Sequence, residues 1–318
     1  MVLQMIINLV IFLVSLGVLS YCAKRVIDKT LRLTYFFRIS EIAAGFILVS
    51  IVTSLPELSI AVISFSGGRG ALSIGDILGS NVVNIAVTLG VCGYIGLKKL
   101  KDETINSALV FILILLMAHT FILDGYIGYS DSLLLLFLFG VFVYYAISVE
   151  VPLNNKSKKT ISKKEALKDF IFFLAFSAIV IISAGFVVSS AIELAKAFNI
   201  YQTFLGATLI AIGTSLPELA VNIAAIKKGK GKIAIGAIIG SCLFNMTFIL
   251  GIGVLISPLA LNMEMVWPIA VFSIFSAIVL AFFLSRDKTV TKKVAVLLLL
   301  IYLIYLIWIS GIQITQII

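Results

Sequence analysis

The chain has 318 residues, of which 61% are hydrophobic and 12% charged, with a mean hydropathy of +1.20. A water-soluble domain carries about 25% charged and about 45–50% apolar residues, so this composition excludes one and points to a bilayer. The net charge of +9 does not indicate nucleic acid, because the basic residues sit in short clusters between apolar stretches, where they act as topology signals.

Apolar stretches recur from Val2 to the C-terminus, each near the ~20 residues a helix needs to cross the hydrocarbon core. One signal peptide cannot account for them. They predict an all-α integral membrane protein with ten spans, at roughly 2–22, 41–65, 71–97, 104–123, 132–149, 168–190, 203–226, 233–257, 266–284 and 294–316. The connections alternate in charge. Segments 23–40, 98–103, 150–169, 227–232 and 285–293 hold five, three, six, four and four Lys/Arg, and the other two are Arg69 and Lys196. By the positive-inside rule the basic segments face the cytoplasm and both termini lie outside.

The chain contains an internal repeat. A constant offset of 161 aligns Gly45–Gly90 with Gly206–Gly251 without a gap, with 19 of 46 positions identical. Thr53-Ser54-Leu55-Pro56-Glu57-Leu58 recurs as Thr214-Ser215-Leu216-Pro217-Glu218-Leu219, and Gly79-Ser80 and Asn84 recur as Gly240-Ser241 and Asn245. Five spans separate the copies, an odd number that places them in opposite orientations, as in inverted-repeat transporters. The expected organisation is a five-span half at 1–149 carrying α-repeat 45–90, a polar cytoplasmic linker at 150–167, and a second half at 168–318 carrying α-repeat 206–251.

Of fifteen acidic residues, thirteen fall in connections or near span ends, which leaves Glu57 and Glu218 deep inside spans. An ionised carboxylate at that depth costs at least ~2.5–3.5 kcal/mol. Two of them in repeat register call for a cation, the alternative being protonated side chains hydrogen-bonded to a neighbouring helix. Thr53 and Glu57, like Thr214 and Glu218, are four apart and share a helix face. The proline before each Glu lacks an N–H and releases the carbonyl four residues back, at Val52 and Gly213; a packing kink is the plainer reading. Ser80/Asn84 and Ser241/Asn245 are again four apart, fit either for ligation or for interhelical hydrogen bonds beside Gly79 and Gly240. Together the set supplies carboxylate, amide, hydroxyl and backbone oxygen, the donors of a hard cation rather than of Zn²⁺, Cu or Fe. Two carboxylates neutralise one Ca²⁺, and Mg²⁺ gives up its water too reluctantly for a dry cage.

At these residues the sequence resembles the Ca²⁺/cation antiporter superfamily, in particular its prokaryotic sodium/calcium exchanger branch. The resemblance rests on ten spans, two five-span halves and the doubled T-S-L-P-E and G-S-x-x-x-N motifs. It implies Glu57 and Glu218 as central Ca²⁺ ligands. It further implies Thr53, Ser54, Ser80, Asn84 and the Ser50 carbonyl from the first repeat, with Thr214, Ser215, Ser241, Asn245 and the Ala211 carbonyl from the second. Val52 stands where the family's first motif has Gly, and Ser50 replaces the usual Ala. Asn245 stands where many prokaryotic and K⁺-dependent members have Asp, which argues against K⁺ co-transport. The G-N-x-x-E motif of proton/calcium exchangers is absent.

The expectation is therefore a secondary transporter exchanging Na⁺ for Ca²⁺ by alternating access, with H⁺/Ca²⁺ antiport and a cation channel as alternatives. It is not expected to be an enzyme, since no nucleophile and base pair recurs. The bilayer and the two ions are its expected partners, with no cofactor, no nucleic acid and no obligate protein partner. His119, the only histidine, reads as packing or a proton relay. Asp76 is expected to begin span 3 near the outer face in a helix-start role, its counterpart being Ala237. Cys22, Cys92 and Cys242 read as packing residues. The basic run 23–40 could bind anionic lipid. The 150–169 segment is too short to fold as a regulatory domain.

Overall fold

The computed structural model describes residues 2–37, 39–148, 161–195 and 206–315, and helices make up nearly all of them. Residue 149 at the end of the expected fifth span, residues 150–160 of the expected linker, the start of the expected seventh span at 203–205, Arg38, Lys196 and both chain ends lie outside the described residues. Among the described residues seven helices are long and apolar enough to cross a membrane: Gly70–Ile95, Asp102–Ile122, Tyr129–Ser148, Lys163–Ser183, Gly231–Ile256, Met263–Asp287 and Lys292–Ile312. An eighth is formed if Glu41–Thr53 and Leu55–Ser66, which meet at a 47° bend, make one span. Large apolar side chains face outward on several of them, among them Ile63, Phe137, Tyr144 and Ile307 at 66–75% exposure. Such surfaces are stable only against lipid or protein, and the chain is an integral membrane protein.

Two helices form the centre. In their most apolar stretches Gly70–Ile95 is 83% buried and Gly231–Ile256 is 94% buried, against 22–56% for the other five. Their burial follows from small residues. A Cβ on Gly79 would stand 2.6 Å from the Ala207 carbonyl oxygen, and one on Gly240 would stand 2.8 Å from that of Phe46. The offset of 161 carries Gly79 onto Gly240 and Phe46 onto Ala207, so a single backbone-to-backbone contact is made twice. Asn81 and Cys242, themselves one offset apart, face each other, with Asn81 Nδ2 donating to the Cys242 carbonyl at 3.4 Å. The repeat is thus visible element by element. π-helical turns at Gly45–Val49 and Val83–Thr88 recur at Gly206–Ile210 and Phe244–Ile249. The short helices Ser50–Thr53 and Ala211–Thr214 are each followed by a one-residue break.

Three expectations about the spans need correction. The first helix does not end near residue 22 but runs over Val2–Phe37. The basic run 23–40, read as a connection, is helical through Phe37 because one of its faces is packed. Ala23, Val26, Ile27, Thr30, Leu33 and Thr34 are each at most 1% exposed, spaced as a helical stripe. This stripe faces Lys163–Ala195 and Leu216–Lys227. Lys29 pairs with Asp169 at 2.7 Å, and Arg32 holds the same carboxylate. The sixth helix correspondingly starts at Lys163 rather than 168, taking up part of the expected linker. Span 2 is broken at Ser54. Among the described residues the one β pairing joins Tyr126–Ile127 to Leu259–Ala260, antiparallel.

Candidate ion-binding site

The duplicated motif builds the same local structure twice. Helix Ser50–Thr53 stops at Ser54 (φ −88°, ψ 13°) and resumes as Leu55–Ser66; helix Ala211–Thr214 stops at Ser215 (φ −80°, ψ 1°) and resumes as Leu216–Lys227. Pro56 and Pro217 fall in the first turn of the resumed helices, where a missing N–H is harmless. Glu57 and Glu218 fall in the same first turns, at the positive end of the helix dipole, which favours a carboxylate. Across the breaks the Ser54 N–H reaches the Ser50 carbonyl at 3.0 Å and the Ser215 N–H reaches that of Ala211 at 3.2 Å. These two carbonyls therefore keep a helical partner, and each also accepts a threonine hydroxyl, from Thr53 at 3.3 Å and from Thr214 at 3.4 Å.

All twelve residues expected at the site are buried: Ser50, Ser54, Glu57, Ser80, Asn84, Ala211, Glu218, Ser241 and Asn245 at 0%, and Ser215, Thr53 and Thr214 at 1%, 3% and 7% exposure. Several meet across the repeats. Ser54 Oγ donates to Glu218 Oε1 at 2.9 Å, joined at 3.4 Å by Ser241 Oγ, and Ser80 Oγ lies 3.3 Å from Thr214 Oγ1. Others turn onto their own helix: Ser50 Oγ donates to the Phe46 carbonyl, and Thr53 Oγ1 to that of Val49 at 2.9 Å. Asn245 Nδ2 donates to Asn81 Oδ1 at 3.3 Å. Both carboxylate oxygens of Glu57, Oε2 of Glu218, both amide atoms of Asn84, Oδ1 of Asn245 and Oγ of Ser215 are enclosed without a hydrogen-bond partner. Buried polar atoms are ordinarily paired, and a buried carboxylate without a partner is costly. A shell of such oxygens is what a cation would complete, and these donors suit a hard one. Among the described residues no group of three or more His, Cys, Asp or Glu side chains makes a metal cluster.

Asp76 departs from expectation. The helix that carries it begins at Gly70, so Asp76 lies in the second turn, at 0% exposure. Its Oδ1 accepts from Thr214 Oγ1 at 3.1 Å and from Ser80 Oγ at 3.4 Å. It is a third buried carboxylate at the site, not a helix-start residue. The signal was present in the sequence: Asp76, Ser80 and Asn84 stand at i, i+4 and i+8, on one helix face. Asn81 and Asn222 were also missed, the latter donating to the Glu218 carbonyl at 2.8 Å. His119, by contrast, is 1% exposed and ties two helices by contacts with the Leu115 carbonyl at 2.8 Å and Ser273 Oγ at 2.9 Å, as a packing residue does. The three cysteines are buried and free, in keeping with packing.

The chain is thus an all-helical membrane protein with a doubled set of enclosed oxygen atoms. Comparison with known proteins narrows this. The family described as sodium/calcium exchanger protein matches residues 7–148 and 168–311. Over 264 residues, 80% of this chain and 81% of the relative, it is 30% identical to the inner membrane protein YrbG of Escherichia coli. Over 290 residues, 77% of this chain and 82% of the relative, it is 26% identical to the sodium/calcium exchanger MaX1 of Methanosarcina acetivorans. Among solved structures, the sodium-calcium exchanger NCX_Mj superposes with a TM-score of 0.81 at 25% identity, covering 94% of this chain and 97% of the other. The chain belongs to the sodium/calcium exchanger family, and its class is that of a cation/Ca²⁺ antiporter.

Proposed function

We propose that this protein exchanges Na⁺ for Ca²⁺ across the membrane by alternating access, through ten spans arranged as two inverted five-helix halves. Both termini lie outside and the 150–167 linker lies in the cytoplasm. In this reading Glu57 and Glu218 neutralise Ca²⁺. The hydroxyls of Thr53, Ser54, Ser80, Thr214, Ser215 and Ser241, the amides of Asn84 and Asn245, and the carbonyls of Ser50 and Ala211 complete the oxygen shell. The carrying observation is the pair of fully buried glutamates in repeat register, with three of their four carboxylate oxygens unpartnered. The same cage accepts Na⁺, an ion of similar size and preference for oxygen, once Ca²⁺ has left. Competition for one set of ligands by two ions is the chemical basis of antiport.

The mechanism asks of this chain that it hold the ions without water and expose them to one side at a time. The breaks at Ser54 and Ser215 separate the helical pieces before and after them, and such a break is where one piece can tilt against the other. The glycine-lined contacts at Gly79 and Gly240 keep the central helices in fixed register. Liposomes holding the purified protein test the reading: an imposed Na⁺ gradient drives Ca²⁺ uptake, and an imposed pH gradient of equal size does not. Uptake driven by the pH gradient alone assigns H⁺ as the counter-ion instead. Orientation is tested by cysteine labelling, with single cysteines in 150–160 protected from an outside reagent and those in 124–131 reactive. The reverse pattern overturns the topology.

A further inference from the structure

The two glutamates account for the charge of one Ca²⁺, which leaves the Asp76 carboxylate over. Asp76 Oδ1, Ser80 Oγ and Thr214 Oγ1 form a triangle with edges of 3.1, 3.3 and 3.4 Å. Around an ion bound at about 2.4 Å, oxygens at right angles stand about 3.4 Å apart; around Mg²⁺ at about 2.1 Å they stand about 3.0 Å apart. The triangle therefore has the dimensions of one face of a coordination shell for an ion the size of Ca²⁺ or Na⁺. K⁺, a larger ion, would spread it. The second carboxylate oxygen, Asp76 Oδ2, is enclosed without a partner, as is the Asn84 amide one turn beyond Ser80 on the same helix face. The offset of 161 puts Ala237 at the matching position, so the second central helix has no such group.

We propose that Asp76, with Ser80 and Thr214, makes a subsite for a monovalent cation of Na⁺ size, so that the site carries three negative charges and one repeat alone supplies the third. This rests on the exchange reading and deepens it: Asp76 sets how strongly Na⁺ competes for the site. With Ca²⁺ on the glutamates, the remaining charge holds a Na⁺ rather than nothing. The absence of an aspartate at Asn245 therefore does not leave the site with two charges.

The test is binding, which needs no transport. Sodium chloride and calcium chloride are titrated separately into wild-type protein and into Asp76→Asn, by calorimetry in choline buffer of constant ionic strength. The expected result is a loss of Na⁺ affinity in the variant at least about tenfold greater than its loss of Ca²⁺ affinity. Asp76→Ala, which copies the residue of the other repeat, behaves alike. Equal losses for the two ions make Asp76 part of the Ca²⁺ shell, and unchanged affinities make it a structural hydrogen-bond acceptor; either outcome overturns the subsite. Should neither variant yield monodisperse protein, the wild type still decides, because the subsite requires Na⁺ to bind at least about tenfold tighter than K⁺. Failure of Na⁺-driven uptake in liposomes with Na⁺ binding intact would count against the exchange reading and not against the subsite.

Discussion

In the first repeat the Thr53 hydroxyl donates to the carbonyl of Val49, on its own helix, at 2.9 Å. In the second, the equivalent Thr214 hydroxyl crosses to Asp76 at 3.1 Å. The backbone around them is the same, with matching π-turns, breaks and prolines, so the difference comes from the opposing helix: Asp76 attracts one hydroxyl, and Ala237 leaves the other to its own backbone. The glutamates divide in the same way. Glu218 holds Ser54 and Ser241 within 2.9 and 3.4 Å, whereas Glu57 has no partner at either oxygen. Duplication thus preserved the backbone scaffold while the polar contacts drifted apart, and a site that looks symmetric in its motifs is unequal in its electrostatics.

The strongest test of this comparison is neutralisation of each glutamate. Glu57→Gln and Glu218→Gln should each lower Ca²⁺ flux in liposomes at least about a hundredfold, since removing one partner of a buried charge set costs ~3–5 kcal/mol. Normal flux in either variant would remove that residue from the site. Their effects on the ion-free protein should differ. Glu57→Gln discharges an unpartnered carboxylate and should raise the melting temperature by about 1–2 °C, the shift that ~1 kcal/mol produces when the unfolding entropy scales with a chain of this length. Glu218→Gln keeps an oxygen acceptor for Ser54 and should shift it less. Equal shifts would mean that the two carboxylates are equivalent in solution.

The next test addresses what the repeats share. Gly79→Ala and Gly240→Ala each press a methyl group onto opposing backbone and should destabilise the protein by about 1–3 kcal/mol, read as a lowered melting temperature in detergent. Gly140→Ala, where a Cβ would meet nothing within 4 Å, serves as the control and should leave it unchanged. Tolerance of one glycine variant but not the other would show that the contact is not made twice.

A smaller effect separates the serines of the two breaks. Ser54→Ala removes a hydrogen bond to a carboxylate, worth ~1.5–3 kcal/mol, and should weaken the ion-free protein more than Ser215→Ala, whose hydroxyl has no partner. Smallest of all should be the ionic ties around the first helix. Lys228 reaches Asp28 and the Lys24 carbonyl, and Lys230 reaches Glu41 at 2.9 Å. These pairs are partly exposed, so Asp28→Asn should cost no more than ~1 kcal/mol. A larger loss, measured by thermal unfolding, would mean that they act as a network.

Much of this protein could be read from its residues alone. Composition established a membrane protein, the offset of 161 established the repeat, and the rarity of mid-span acids singled out Glu57 and Glu218, because a buried carboxylate is too costly to keep without a purpose. Ser54 and Ser241 near Glu218 were legible for the same reason, through motifs copied twice. Asp76 was misread because it was weighed by its nearness to the outer end of a span expected from residue 71, whereas a residue six positions past Gly70 already lies in the second helical turn, where the facing helix decides its partners. The continuation of the first helix to Phe37 was misread because its charged residues were weighed by number, not by face; the stripe from Ala23 to Thr34 is apolar or hydroxyl-bearing and packs.

What only the tertiary structure decided is which polar groups meet. Thr214 and Asp76 are 138 positions apart, and Ser54 and Glu218 are 164 apart. Periodicity along one helix tells which face is turned inward but not what stands opposite it, and in a dry core that neighbour determines whether a hydroxyl serves its own backbone, a carboxylate or an ion.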